Sequence, residues 1–275
     1  MLKCPVCNNV LNENDKQYIC INNHSFDKNK KGYTNLLLSN QLHSINPGDN
    51  KEMVDARFNF LKTNKYHILR DTLLNIINKY KSNNFSNNFS FLDIACGEGY
   101  YTNHLLSNFK EANGYGIDLS KYALIIANRN KKELKINNIK YYLASLSKLP
   151  FIDNSIDIAL NCFAPLDEKE FNRVIKQNGI FIRVLPSTYH LWELKAVLYK
   201  EVIENKEKEL NLEGFNLIES IEVNDIIELN NEEINNLFMM TPYYYKSPIE
   251  GSNKLKSLNS LKTRISFKIY IYKKI

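Results

Sequence analysis

From residue 91 onward the chain alternates short apolar runs with longer amphipathic ones. FLDIA (91–95), NGYGID (113–118), IKYYLA (139–144), SIDIALN (155–161) and GIFIRVL (179–185) read as buried strands, short and bounded by turn residues. Between them, YTNHLLSNF, SKYALIIANRN and DEKEFNRVIKQ place apolar residues at helical spacing, the second with Ser120 as its cap. Strands alternating with helices predict a parallel sheet covered by helices. Farther on the pattern predicts a helical stretch at about 188–206, then FNLIESIEV, a helix around NEEINNLFMM, an aromatic TPYYYK and a closing alternating strand, TRISFKIYIYKK. The extra strands, the last suited to antiparallel pairing, make a seven-stranded α/β sheet.

Upstream of the sheet, Leu69, Leu73, Ile76, Ile77 and Tyr80 recur at helical spacing from His67 to Lys81, and a further helix is expected around Lys51–Lys62. The polar stretch Ser39 to Lys51, with its Pro47-Gly48-Asp49 turn signal, reads as a linker, and SNNFSNNFS as a short polar loop. The first 35 residues hold too few apolar positions for a core of their own and need a staple. This gives three regions: a module at 1–35, linker and bridging helices at 36–90, and the sheet domain at 91–275. No internal repeat is visible.

At 275 residues, 44% hydrophobic and 24% charged, with 9 Gly and 7 Pro, the chain is neither collagenous nor disordered. No uncharged apolar run is long enough to span a membrane, so no membrane partner is expected. The N-terminus lacks a basic-then-apolar signal pattern. A cytoplasmic location is therefore the expectation, with the five Cys read as ligands or core thiols rather than disulfides. The net charge of +6 divides unevenly: +2 over residues 1–35, +3 over 36–90, −6 over 91–245 and +7 over 246–275. Any polyanion would touch the flanks, not the acidic middle.

Cys4, Cys7, Cys20 and His24 stand as C-x2-C-x12-C-x3-H, two tight knuckles holding one tetrahedral ion. Thiolate and imidazole together favour Zn²⁺, and four ligands leave no open position, so the site reads as structural. Such an ion supplies the stability the segment lacks. Lys3, Lys16, Lys28, Lys30 and Lys31 interleave with Tyr18, Phe26 and Tyr33. That pattern suits nucleic acid and a solvated face about equally.

LDIACGEGYYT (92–102) puts an acid at a strand end, then a Gly-x-Gly turn, then a helix start. Gly97 and Gly99 permit close approach of a ligand to the backbone, and the helix start offers unpaired N–H groups. Asp93 and Glu98 would repel a pyrophosphate. They suit a cationic, phosphate-free ligand, S-adenosylmethionine, whose amine and sulfonium welcome carboxylates. Asp118 ends the second strand, where a carboxylate can accept both ribose hydroxyls. The L-P-F turn (149–151) after the third strand falls where the adenine edge is met, and the fourth strand ends at Asn161. Cys96 and Cys162 read as packing residues first.

These residues also carry a family resemblance spanning nearly the whole chain. CPVC…YICINNHSFDKNKKGYTNLL, PGDNKEMVDARFNFL, HILRD, DIACGEGYYT, GIDLSK, LPF, HLWELK and MTPYYYK resemble the bacterial 23S rRNA guanine-N1 methyltransferases with an N-terminal zinc module, a family with members that confer macrolide resistance. The resemblance implies a Rossmann-like class I methyltransferase sheet preceded by a zinc-ribbon-like module that contacts RNA. It implies zinc on Cys4, Cys7, Cys20 and His24, a cofactor pocket lined by Tyr66, Gly99, Tyr100, Tyr101 and His190, and Asp118 as the ribose acid. A 23S rRNA hairpin as substrate and a homodimer are also implied. Two positions depart from the family pattern: Ala95 replaces a more usual Gly, and NCFAP (161–165) leads into a different helix start.

The expected reaction moves a methyl group in line to guanine N1, which must lose its proton. His190 is a candidate base or a helix cap. Asn161 or its backbone carbonyl could orient the base and Phe163 stack on it, or Phe163 could belong to the core. Tyr243, Tyr244, Tyr245 and Lys246 suit nucleotide stacking or a strand entry. Arg57 and Arg70 suit RNA phosphates or internal ion pairs. Two readings compete with this one: a small-molecule methyltransferase with a structural zinc module, and a non-catalytic RNA-binding zinc protein.

Overall fold

The computed structural model describes residues 1–41, 48–205 and 211–275. Residues 42–47 of the linker, Pro47 included, and the end of the 188–206 stretch lie outside the described residues. In chain order the elements are β1 (Leu11–Glu13), β2 (Gln17–Cys20), β3 (Ser25–Asp27), β4 (Tyr33–Asn35), α1 (Lys51–Leu61) and α2 (His67–Asn84). Then come β5 (Ser90–Ile94), α3 (Tyr100–Asn108), β6 (Asn113–Asp118), α4 (Lys121–Glu133), β7 (Ile139–Leu143), β8 (Ile156–Cys162), α5 (Glu168–Val174) and β9 (Ile175–Pro186). The chain closes with α6 (Trp192–Leu198), β10 (Phe215–Asn230), α7 (Asn231–Met239), α8 (Tyr243–Lys246), α9 (Ile249–Lys256) and β11 (Ser260–Lys274).

Local chemistry sets the helix starts. The Asn50 side chain accepts from the Met53 N–H (2.9 Å) at α1, and Ser120 Oγ accepts from the Ala123 N–H (3.3 Å) at α4. Asn230 and Glu233 bond reciprocally as a capping box at α7. The main sheet runs β10-β11-β9-β8-β5-β6-β7-β4, parallel except that β11 is antiparallel to both of its neighbours. The strand order reverses at β5, which lies between β6 and β8. The carboxyl ends of these strands therefore flank the crevice where open α/β sheets bind ligands.

One face of the sheet buries Phe91, Ile139, Leu160 and Ile182 against Leu69, Leu73 and Ile77 of α2 and Leu105 of α3. The other face, with Leu92, Tyr142, Ala159 and Phe181, is covered by Phe171 and Val174 of α5 and by Leu2, Leu11 and Tyr18 of the N-terminal module. The β7–β8 connection contains no helix, and the module packs along it.

Three expectations change. Among the described residues the sheet has eight strands, because Tyr33–Asn35, at the end of the 1–35 module, adds an edge strand parallel to β7. The 188–206 helix shrinks to α6: Leu191 is left-handed (φ 55°) just before it, and Tyr199 is extended just after it. The TPYYYK run forms the short helix α8, not a strand entry, between Pro242 and Pro248, and α9 follows it.

Candidate active site and metal centre

The turns after β5 to β9 open into one cavity of about 750 Å³, of the size that small-molecule sites take. Its floor is the β5 turn with Asp93, Ala95, Gly97 and Glu98. Asp118 and Leu119 follow β6, Ala144 and Leu146 follow β7, and Cys162 to Pro165 follow β8. Residues Gly48, Asp49, Met53 and Arg57 in and before α1 wall one side, with Met240 to Tyr243 at the α7–α8 junction. The Asn50 side chain donates to Tyr245 Oη (3.1 Å), tying those two walls together.

Of the residues expected here, Tyr66, Asp93, Gly97, Glu98, Tyr101, Asp118, Phe163 and His190 line the cavity. Gly99, Tyr100 and Asn161 are not among its walls. Gly99 is left-handed (φ +77°), and a Cβ on it would stand 2.8 Å from Tyr141 Oη and 2.9 Å from Ala127 Cβ, so its bare Cα serves close packing. The Arg70 guanidinium stacks 5.7 Å from the centre of the Tyr100 ring. Asn161 is fully buried on the opposite sheet face from Cys162, and its amide donates to the Pro165 carbonyl (3.3 Å). Its side chain pins the 161–165 turn instead of lining the cavity, and its Oδ1 is buried without a hydrogen-bond partner among the described residues. The L-P-F turn also misses the cavity: Ala144 and Leu146 take the expected adenine side, and Phe151 pairs with Leu2.

Arg57 belongs to the site rather than to an RNA face. Its guanidinium is ion-paired with Asp49 and lies 3.8 Å from Glu98. Burial works against its charge, but Glu98 and Asp49 outweigh that and hold it protonated. The helical phase it shares with the buried Val54 and Leu61 is a signal that could have found it. Arg70, suited to an RNA phosphate or an internal ion pair, pairs with Asp71 (3.0 Å).

Burial pushes the Asp93 carboxyl up to about 7, against a bond from Thr102 Oγ1 (2.5 Å). Burial likewise lifts Glu98 to about 7, against the pull of Arg57. Asp118 is also raised by burial, although its oxygens accept from the Ser120 N–H (2.7 Å) and the Gly97 N–H (2.9 Å). One guanidinium among Asp49, Asp93, Glu98 and Asp118 leaves the wall negative. Glu98 Oε2 and Tyr101 Oη are buried without hydrogen-bond partners among the described residues. A cation with polar edges fits this donor set.

A pH dependence follows. A cationic ligand favours the ionised carboxylates, and Asp93 and Glu98 become neutral as pH falls through about 7. We expect S-adenosylmethionine affinity, measured by calorimetry, to weaken from pH 8 to pH 6 by about tenfold. In the free protein the sign is opposite. A carboxyl raised above its unfolded value favours folding less as pH climbs from about 4 to 7, so ligand binding should stabilise most above pH 7.

Burial lowers His190 to about 3, and its Nδ1 accepts from the Ser266 N–H (3.2 Å). The neutral ring therefore carries its proton on Nε2. With no free ring lone pair, His190 is a donor and not the base it could have been. Phe163, 43% exposed, stands at the mouth in a left-handed conformation (φ 56°) and leans on Phe267, 5.7 Å between ring centres. Ala95 and Leu191 share that rare backbone region, so strain gathers around the cavity.

In the N-terminal module, the ligand atoms of Cys4, Cys7, Cys20 and His24 all lie within 4.8 Å of one another. Sγ of Cys4 and of Cys20 are 3.7 and 3.5 Å from His24 Nδ1, and Cys7 Sγ is 3.6 Å from Cys20 Sγ. Ligands about 2.0–2.3 Å from a tetrahedral Zn²⁺ have edges of this length, so the four residues fit the ion. Each knuckle turns on a left-handed asparagine, Asn8 and Asn23. The Asn9 amide donates to Cys7 Sγ (3.4 Å).

The Methyltransferase domain family matches residues 85–241, and the zinc-ribbon family described as "RlmA, N-terminal" matches residues 2–44. The chain belongs to the methyltransferase-domain family, as an S-adenosylmethionine-dependent enzyme of the class I fold with a structural zinc module in front. Within that class it is similar to a Bacillus subtilis protein named "Putative 23S rRNA (guanine-N(1)-)-methyltransferase YxjB", 28% identical over 98% of this chain and 96% of that one. It is also 29% identical to the 23S rRNA (guanine(748)-N(1))-methyltransferase of Streptomyces fradiae, over 72% of this chain and 67% of that one. The crystal structure of the YcgJ protein from Bacillus subtilis shares the fold, with a TM-score of 0.50 and 16% identity over 73% of this chain and 97% of that one. No helix among the described residues is long and apolar enough to cross a membrane.

Proposed function

We propose that this enzyme methylates N1 of a guanine in a hairpin of 23S ribosomal RNA, in the cytoplasm. The observation that carries the reading is the cavity itself, which runs from an acidic floor to a mouth edged by the exposed Phe163. Relatives named for this reaction, one of them matching almost end to end, support the choice of base.

Bound at the acidic floor, S-adenosylmethionine supplies an electrophilic methyl group. Asp118 would hold the ribose hydroxyls, while Asp93 and Glu98 face the cationic end. Phe163 gives an extruded base a ring to stack on, and the neighbouring Cys162 and Pro165 exclude water behind it. Guanine N1 gives its proton to water at the open mouth, and its lone pair takes the methyl group as the carbon–sulfur bond breaks, leaving neutral S-adenosylhomocysteine. A donor at the adjacent carbonyl oxygen stabilises the deprotonated base, and His190 Nε2–H can act as that donor without accepting the proton. Positioning supplies the remaining acceleration.

Incubation with labelled S-adenosylmethionine and rRNA lacking the modification, followed by mass-spectrometric mapping, tests the reading. Label on guanine N1 is expected. Cofactor binding without label in RNA would remove the rRNA substrate and favour a small-molecule acceptor. In the same assay His190→Ala should lower kcat about 100-fold, and His190→Gln, which keeps an N–H donor, should recover part of it. Equal losses in both variants would argue against the donor role.

A further inference from the structure

The β7–β8 connection supplies one wall of the cofactor cavity through Ala144 and Leu146, and no helix of its own supports it. The N-terminal module holds it instead. Just past the module's edge strand β4, the Leu36 N–H donates to the Leu143 carbonyl (2.9 Å), immediately before Ala144. Farther along, the Lys3 N–H donates to the Pro150 carbonyl (3.0 Å), Leu2 bridges to Phe151, and the Ile152 N–H donates to the Met1 carbonyl (2.9 Å). The module thus grips the connection at both ends of its cavity-lining stretch.

The same module braces β7 from the side. Tyr18 and Tyr142 hydroxyls meet at 3.1 Å in the buried layer between module and sheet. The preceding residue, Tyr141, points to the other face, where its hydroxyl donates to Asn103 Oδ1 (2.7 Å) and lies against bare Gly99 behind the glycine turn. Edge strand β4 pairs with all three residues, Tyr141 to Leu143. One strand therefore touches the module on one face and the cofactor turn on the other.

None of this holds unless the module is folded. Its strands β1 to β3 are three or four residues long, and its buried residues Leu2, Leu11 and Tyr18 face the sheet rather than one another alone. Segments this short depend on their metal for order. We propose that the zinc module is a positioning element of the methyl-donor site, so that zinc occupancy sets S-adenosylmethionine affinity. The proposal rests on the assignment of the cavity to that cofactor. The coupling is partial, because α5 also holds the connection. Arg173 donates to the Phe151 carbonyl (2.7 Å) and the Leu149 carbonyl (2.9 Å), and Glu170 accepts from the Leu149 N–H (2.7 Å).

The test uses the full chain, zinc-loaded or stripped with a chelator under reducing conditions, and measures S-adenosylmethionine Kd by calorimetry. Stripping should weaken binding about fivefold, the lower end of ordinary site-to-site coupling, and added Zn²⁺ should restore it. Linkage requires the reciprocal, so saturating S-adenosylmethionine should tighten zinc retention against the chelator by the same factor. Leu2→Ala leaves all four ligands in place and thins the apolar layer that the module shares with the sheet. With zinc content unchanged, it should show part of the loss, and it carries the test if stripped protein aggregates. A Kd constant within twofold, while protease sites in residues 1–32 open on stripping, would overturn the proposal. Absence of binding by the zinc-loaded protein would instead remove the cofactor assignment, and the proposal with it.

Discussion

Asp118→Ala is expected to weaken S-adenosylmethionine binding by about 100-fold with zinc content unchanged. Asp118 ends β6 at the cavity wall, and its oxygens are aimed by backbone bonds from Gly97 (2.9 Å) and Ser120 (2.7 Å). A carboxylate fixed this way needs no reorganisation to accept a pair of ligand hydroxyls. Hydrogen bonds to a charged acceptor contribute about 1.5–3 kcal/mol each. Losing a bidentate pair, partly replaced by water, leaves about 2.7 kcal/mol, which is a factor of about 100 in Kd. The substitution also frees the Gly97 N–H, so the glycine turn should loosen. Asp118→Asn should not rescue binding, since its NH₂ group would face one of two backbone donors. Calorimetry on the three proteins settles the point, and an Ala variant binding within threefold of wild type would show that the ribose is held elsewhere. Thermal stability should change less than affinity, because burial already disfavours the charge at Asp118.

Much of this site was legible because its chemistry is local. The strand, glycine turn and helix of residues 90–108 carry apolar run, left-handed glycines and helix start in continuous order, and Asp118 ends the next strand. The four zinc ligands likewise sit on two short knuckles whose spacing is their own signature. Contacts remote in sequence were harder to read. Arg57 meets Glu98 across 41 positions, and a charged residue on an amphipathic helix does not announce its partner. Tyr33–Asn35 is too short for a strand pattern and pairs only because β7 presents an open edge. Asn161 was legible in principle. Alternation along β8 puts Ile158, Leu160 and Cys162 on one face and Ala159 and Asn161 on the other, so Asn161 and Cys162 could not both face the ligand. The aromatic run at Tyr243–Tyr245 misled because aromatics favour strands, whereas the prolines on either side delimit a single helical turn. The charge balance also changes meaning. Lys274, part of the basic C-terminal stretch, is buried, and its ammonium donates to the Ile175 carbonyl (2.8 Å) and Asn154 Oδ1 (2.9 Å), while Arg264 pairs with Glu193 (2.7 Å). That stretch is partly internal structure.

Gly99→Ala should destabilise the protein strongly, whereas Gly97→Ala should chiefly harm cofactor binding. The two glycines lie two residues apart, both left-handed, and differ in what a methyl group would meet. At Gly99 a Cβ would lie 2.8 Å from Tyr141 Oη, 2.9 Å from Ala127 Cβ and 3.0 Å from Asn103 Nδ2. Tyr141 is buried and its hydroxyl is bonded to Asn103, so the ring cannot retreat without breaking that bond. Left-handed strain of about 1–2 kcal/mol adds to overpacking of about 1–3 kcal/mol, together about 3 kcal/mol. For a chain of this length that lowers Tm by about 6–10 °C. At Gly97 the only neighbour within reach among the described residues is Arg57 Nη1, 3.5 Å away, so the protein tolerates the methyl group, which projects toward the cavity. The cost there is strain alone, about 1–2 kcal/mol, but the backbone can no longer approach its ligand closely. Thermal melts and calorimetric Kd values on both variants give a crossed result if the turn works this way. The larger Tm loss belongs to Gly99→Ala and the larger affinity loss to Gly97→Ala. The reverse order would mean that Gly99 contacts the ligand and that the packing against Tyr141 yields.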